Sequence, residues 1–249
     1  MKTGLTALAM VLTAAIAPSS NAGMMDGLVN AANGALAAYG RDSFSVDRRQ
    51  LSGDTIVAGL REALIVGCDK VVARLNESEG YNADAEVRIS LPARWREAQP
   101  VLASMDDTAD VQMFEQQLNR AAATVAPATR DILQQLIGNL TINNARGILN
   151  GGDRQATVYL RRNIADHMAQ QLRPIVRESL QSSGALQFGE KLVSQASQEA
   201  VLTNLETDLT DHVVSESLDG FFYYLEQEEQ AIRKDPAHRT TPLLKRVFG

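Results

Sequence analysis

The sequence predicts an all-α fold: a single multi-helix, bundle-like domain over residues 51–249 with one short extended segment near residues 85–91. Three observations predict it. Apolar residues recur at spacings of three and four along most of the chain, the period of a helix that buries one face. The stretches marked in this way are separated by Asp, Thr, Asn, Gly and Pro, residues that start and stop helices. Only Val87 to Leu91 alternates apolar with polar residues as a strand does.

The first strong element starts at Asp54 as N-cap and carries Val57, Leu60, Leu64, Cys68, Val71 and Leu75 on one face, ending near Asn76. Glu79-Gly80-Tyr81-Asn82 reads as a turn. Val87, Ile89 and Leu91 then alternate with Arg88 and Ser90 up to Pro92. With no second strand to pair with, this stretch is expected to lie extended across helices.

From Asp107 or Thr108 a helix puts Val111, Phe114, Leu118 and Val125 on one face, and Pro127 is expected to end it or to open the next one through Ile132, Leu136 and Leu140. Thr141 followed by Asn144 resembles a capping box and predicts a short helix through Leu149. Gly151 and Gly152 stop that helix, and Asp153 is the expected cap of a long one with Tyr159, Leu160, Met168, Leu172 and Val176 inward. Pro174 predicts a kink in it, and Ser182-Ser183-Gly184 closes it.

A further helix is predicted over 186–202. The last long one is expected to start near Thr210 and carries Val213, Leu218, Phe221, Phe222, Leu225 and Ile232. Gly220 in its middle implies close approach of another backbone. Pro236 terminates it, and Thr241 with Pro242 starts a final short helix whose apolar residues, Leu244, Val247 and Phe248, should be docked.

The N-terminus reads as a secretory signal over residues 1–22, with Lys2, an uncharged apolar run from Leu5 to Ala17 and cleavage after Ala22. The apolar run is shorter than the ~20 residues that span a bilayer. A periplasmic protein is therefore expected, with residues 23–50 as a weakly ordered, Ala- and Gly-rich leader and no membrane span. Loss of Lys2 takes the formal charge from −6 to −7, and an acidic chain without a basic tract is a poor partner for nucleic acid. Cys68 is the one thiol, so no internal disulfide can form, and its place on an apolar stripe reads as core.

No nucleophile elbow, dinucleotide fingerprint, zinc-protease helix or calcium loop occurs at its required spacing, and no cofactor is implied. Asn150-Gly151-Gly152-Asp153 lacks the lysine of a phosphate loop. Asp208, His212 and Glu216 share one helical face, which reads as a solvated polar stripe and not as a metal site. Glu226, Glu228 and Glu229 read as a surface stripe paired with Arg233 and Lys234. More unusual are polar groups set beside core positions: Arg61 and Glu62, Asn119 and Arg120, Thr157, Tyr159 and Arg161, and Asp219, to which Glu229 and Arg233 are added. Buried, each needs a partner, so they are candidates for one structural network or a polar pocket.

Gly59-Leu60-Arg61-Glu62-Ala63-Leu64, Arg88-Ile89-Ser90-Leu91-Pro92, Leu118-Asn119-Arg120-Ala121-Ala122, Ala156-Thr157-Val158-Tyr159-Leu160-Arg161 and Leu218-Asp219-Gly220-Phe221-Phe222 resemble a bacterial family known as domain of unknown function 4197. The closing Glu228-Glu229-Gln230-Ala231-Ile232-Arg233, Pro236, Arg239 and Leu243-Leu244-Lys245-Arg246-Val247-Phe248-Gly249 resemble its C-terminal signature. Ser90 stands where that family's pattern leads us to expect proline, and Asn144 where it leads us to expect aspartate. The resemblance implies an exported, mainly helical envelope protein with no assigned activity. The leading expectation is a non-catalytic binding or envelope-support protein, with an envelope protein or a small apolar ligand as partner. A carrier of an apolar ligand such as a lipid, and a hydrolase built on the embedded polar groups, are the alternatives. A carrier requires a connected apolar cavity of several hundred Å³.

Overall fold

In the computed structural model the described residues are 51–92, 108–195 and 204–249. The predicted signal segment and leader lie outside them. Among the described residues there are seven α-helices and no strand. They are α1 (Gly53–Leu75), α2 (Thr108–Ile137), α3 (Ile142–Leu149), α4 (Gln155–Ser182), α5 (Ala185–Gln195), α6 (Leu205–Lys234) and α7 (Pro242–Phe248), with a 3₁₀ turn at Pro236–His238 before α7.

The apolar stripes read from the sequence are the buried faces. Leu60, Leu64, Cys68, Val71 and Leu75 of α1, Phe114 and Leu118 of α2, and Phe221, Phe222 and Leu225 of α6 fall in one continuous core with Met168, Leu172 and Val176 of α4. α4 packs along both α2 and α6, while α1 packs against α2, α3, α6 and α7. Ion pairs Arg161–Asp219, Arg173–Asp211 and Arg177–Glu206 run in opposite residue order along α4 and α6, so these two helices are antiparallel. The apolar C-terminus is docked as expected, with Leu244, Val247 and Phe248 buried.

Several boundaries differ from expectation. The N-cap of α1 is Ser52, whose hydroxyl accepts from the Thr55 amide, and Asp54 lies in the first turn. Pro127 neither ends nor opens a helix, for α2 runs through it. Ala121, Ala122, Val125 and Ala126 before it and Ile132 and Leu133 after it are all buried, and that packing outweighs the hydrogen bond that proline removes. α6 starts at Leu205, one turn and more before Thr210, because Leu205 and Leu209 are themselves buried. The helix expected over 186–202 is described as Ala185–Gln195, and its remainder lies outside the described residues.

The extended segment expected near 85–91 is shortened: residues 85–87 form a turn, with the Val87 and Arg88 amides donating to the Asp84 carbonyl at 3.2 and 2.9 Å, and beyond it the backbone of Ile89, Ser90 and Leu91 is held by side chains. The Ile89 amide donates to the Asn119 side chain at 2.8 Å, the Leu91 amide donates to Glu115 at 3.0 Å, and the Ser90 carbonyl accepts from His212 Nε2 at 2.7 Å. An isolated extended segment can be buried only if its amides and carbonyls find such partners. His212 is thereby part of the packing against that segment, and the Asp208–His212–Glu216 face is not the wholly solvated stripe that the spacing suggested.

Candidate functional site

The embedded polar residues go to separate places. Arg61 of α1 donates to the carbonyls of Ile137, Gly138 and Leu140, which closes the C-terminal end of α2 where the helix dipole favours a cation. Asn119 of α2, buried, also donates to the carbonyls of Ile89 and Glu115, both at 2.7 Å, and so holds the extended segment. The Tyr159 hydroxyl of α4 accepts from the side-chain Nδ2 of Asn144 at 2.7 Å. Thr141 caps α3 as expected, but Asn144 turns to Tyr159 and does not reach back to close a capping box. Arg161 pairs with Asp219 at 2.6 Å on the surface. Glu62, half-buried on α1, and Arg120, exposed on α2, join none of these groups among the described residues.

Thr157, Glu229 and Arg233 do converge. Glu229 Oε1 accepts from the Ala156 amide at 2.8 Å and from Arg233 Nε at 2.9 Å. Its Oε2 accepts from the amide and the hydroxyl of Thr157, at 2.8 and 2.9 Å. Arg233 then donates to the carbonyls of Ile148 and Leu149 at the end of α3 and lies over the ring of Phe248. The carboxylate thus caps α4 from another helix, and Asp153 is instead paired with Lys234 at 2.7 Å. Four donors fill the lone-pair sites of one carboxylate, which leaves none for accepting a substrate proton. Glu229 and Arg233 are 8% and 9% exposed at the side chain, so for this pair the surface-stripe reading is corrected. Glu226 and Glu228 do pair at the surface, with Arg154 and Lys70. A sequence signal for the burial existed: Glu229 follows Leu225 by four and precedes Ile232 by three, on the apolar stripe.

The cavity beside Glu229, lined by Leu60, Leu64, Leu225 and Phe248, is about 10 Å³, room for one water. That is far short of what a lipid needs. A second hollow of the same volume lies beside Cys68. Burial, the neighbouring Asp69 and, to a lesser degree, Asp131 push the Cys68 thiol up to about 12, outweighing the opposing Arg130, so at neutral pH it is a packed small hydrophobe.

A wider concavity than either hollow is an open groove of about 280 Å³ between α4 and α6. Ala165 and Ala169 form its α4 wall, and Val214, Leu218 and Phe222 form its floor on α6. The small alanines one turn apart are what open it. The pair Arg161–Asp219, at 2.6 Å, stands at one end, and Arg173–Asp211, at 2.7 Å, at the other. Arg161 also lies over the Phe222 ring, 5.1 Å from its centroid. Neither the periodicity nor the spacing of charges announced this groove, because it forms between two helices about 50 residues apart in the chain.

Among the described residues no three His, Cys, Asp or Glu side chains gather as metal ligands, and no helix is long and apolar enough to cross a membrane. Residues 50–249 match the family model of a protein of unknown function (DUF4197). No curated protein and no solved structure matches the chain.

Proposed function

This chain belongs to the DUF4197 family, and from that premise we propose that it is an exported periplasmic protein, a non-catalytic binding or envelope-support protein that holds a partner in the groove between α4 and α6. The observation that carries this reading is the groove itself: an open concavity of about 280 Å³ with an apolar floor and charged ends. Its volume is close to the lower end of binding sites, and its walls stand on two long, packed helices that hold it in shape.

The placement of the polar groups favours binding over catalysis. Arg61, Asn119, Tyr159 and Glu229 are each committed to a helix end, a backbone segment or a neighbouring side chain, on different elements. A hydrolase would need such groups around one reacting atom. The hollows beside Glu229 and Cys68, at about 10 Å³ each, are far too small for the ligand of the lipid-carrier alternative. Export is supported by Lys2, the apolar run Leu5–Ala17 and the small-residue site at Ala22.

The test is site-specific photo-crosslinking in cells that produce the full chain. A photoreactive residue at Ser215, in the groove, should give adducts in the periplasmic fraction. One at Gln135, exposed on α2, should not. Ala169→Trp, which fills the groove, should abolish the Ser215 adducts. Equal adducts at both positions, or none at Ser215, overturn the binding reading, and adducts confined to the cytosol overturn export.

A further inference from the structure

The groove lies between two ion pairs that staple α4 to α6. Arg161 and Arg173 are 12 residues apart, which is about 18 Å along the helix, or a little over three turns. A furrow of that length between antiparallel helices is the shape into which a third helix packs, with its side chains set between the ridges of the other two. Ala165 and Ala169 leave the α4 ridge low, so side chains of the occupant can reach Leu218 and Phe222 beneath.

Charge narrows the occupant further. Both arginines are already neutralised by Asp219 and Asp211. Asp166, on α4 between the two staples, lines the same hollow and forms no ion pair among the described residues. The groove therefore presents one uncompensated negative charge, at the middle of its length and above an apolar floor. A lysine or arginine suits that arrangement: its methylene stem lies along Ala165 and Ala169 while its charged end meets Asp166.

We infer that the occupant of the groove is an amphipathic helical segment of a partner protein, with apolar residues at i, i+3 and i+7 facing Leu218 and Phe222 and a basic residue at its centre facing Asp166. This rests on the binding reading above and specifies its partner. Recognition is of the helix-in-groove kind, in which the apolar face supplies contact and the central charge supplies register and selectivity.

The test uses the mature chain and three fluorescent 15-residue amphipathic peptides, read by anisotropy. One has a central lysine, one a central glutamate in its place, and one keeps the lysine but has a helix-breaking proline. The lysine peptide should bind about five- to ten-fold more tightly than the glutamate peptide at low salt, with the gap narrowing as salt rises, as expected for a partly exposed charge pair. Asp166→Asn should erase the difference and Asp166→Lys should reverse it. The proline peptide should bind at least ten-fold more weakly. Equal binding of lysine and glutamate peptides overturns the charge assignment, and undiminished binding of the proline peptide overturns the helical one. If no peptide binds while Ser215 still crosslinks, a helical segment is not the occupant and the groove remains a binding site. Loss of both removes the groove as a site altogether.

Discussion

Glu229 and Thr157, 72 residues apart, make two hydrogen bonds: one carboxylate oxygen accepts from both the amide and the hydroxyl of Thr157, at 2.8 and 2.9 Å. The other oxygen takes the Ala156 amide and Arg233. A helix N-terminus ordinarily satisfies its free amides with a side chain from its own cap. Here the residue at that position is Arg154, which makes no such bond, and the anion comes from α6. The start of α4 is thereby fixed to α6, and through Arg233 to the end of α3.

Removing one member of that group should be costly. Glu229→Ala leaves Arg233 buried without its carboxylate and two amides without an acceptor, for an expected loss of about 3–5 kcal/mol in stability. Thr157→Val, which removes one hydroxyl bond and keeps the shape, should cost only about 1 kcal/mol. Urea unfolding of the single variants, Arg233→Ala and the double variant Glu229→Ala/Arg233→Ala measures the coupling. Additive, sub-kilocalorie effects would show that the cluster is not a structural unit.

Two glycines in helices should respond oppositely to alanine. Around Gly147 of α3 nothing lies within 4 Å of an added methyl group, so Gly147→Ala should gain about 0.5–1 kcal/mol from helix propensity. At Gly220 the same methyl would stand 3.0 Å from Tyr81 Cε1 and 3.2 Å from Val87 Cβ, the two buried side chains of the segment that precedes Ile89. Gly220→Ala should be net destabilising in thermal unfolding. A gain equal to that at Gly147 would mean that the 81–87 segment yields without cost.

The hold on that segment should also depend on pH. Tyr224 donates to Asp84 at 2.6 Å, and Arg74 pairs with Asp84 at 3.1 Å while lying over the Tyr224 ring. The Tyr224 hydroxyl first, then the Glu86 amide and Arg74, hold the Asp84 carboxyl below its ordinary 3.8. A carboxyl depressed in the folded state stabilises above its unfolded value, and that contribution is lost as pH falls through the folded one. The native chain should therefore exceed Asp84→Asn in urea midpoint at pH 5–7, and the two should converge below pH 3.8. A difference that persists unchanged at pH 2 would assign the effect to something other than the carboxylate charge.

Much of the fold is legible in short windows of sequence because its causes are local. The apolar stripe of α1, the Thr141 cap of α3 and the Thr241-Pro242 start of α7 each depend on residues within a few positions of one another. Gly220 signalled a close approach, although what approaches is the side chains of Tyr81 and Val87 and not a backbone. The unpaired stretch around Ile89 was legible as extended because it alternates without a second strand, but nothing in its own residues names Asn119 and His212 as its partners.

What the sequence alone determined is therefore the helical class, the buried face of each helix, and the membership that residues 50–249 share with their family. The tertiary structure decided the rest: that Pro127 lies within a continuous helix, that Glu229 is an internal cap and not a surface charge, and that Ala165 and Ala169 open a groove opposite Leu218 and Phe222. The physical reason is separation along the chain. Helical period and capping act over three or four residues, whereas the burial of a charge and the shape of a groove depend on which helix arrives opposite, 50 to 70 residues away.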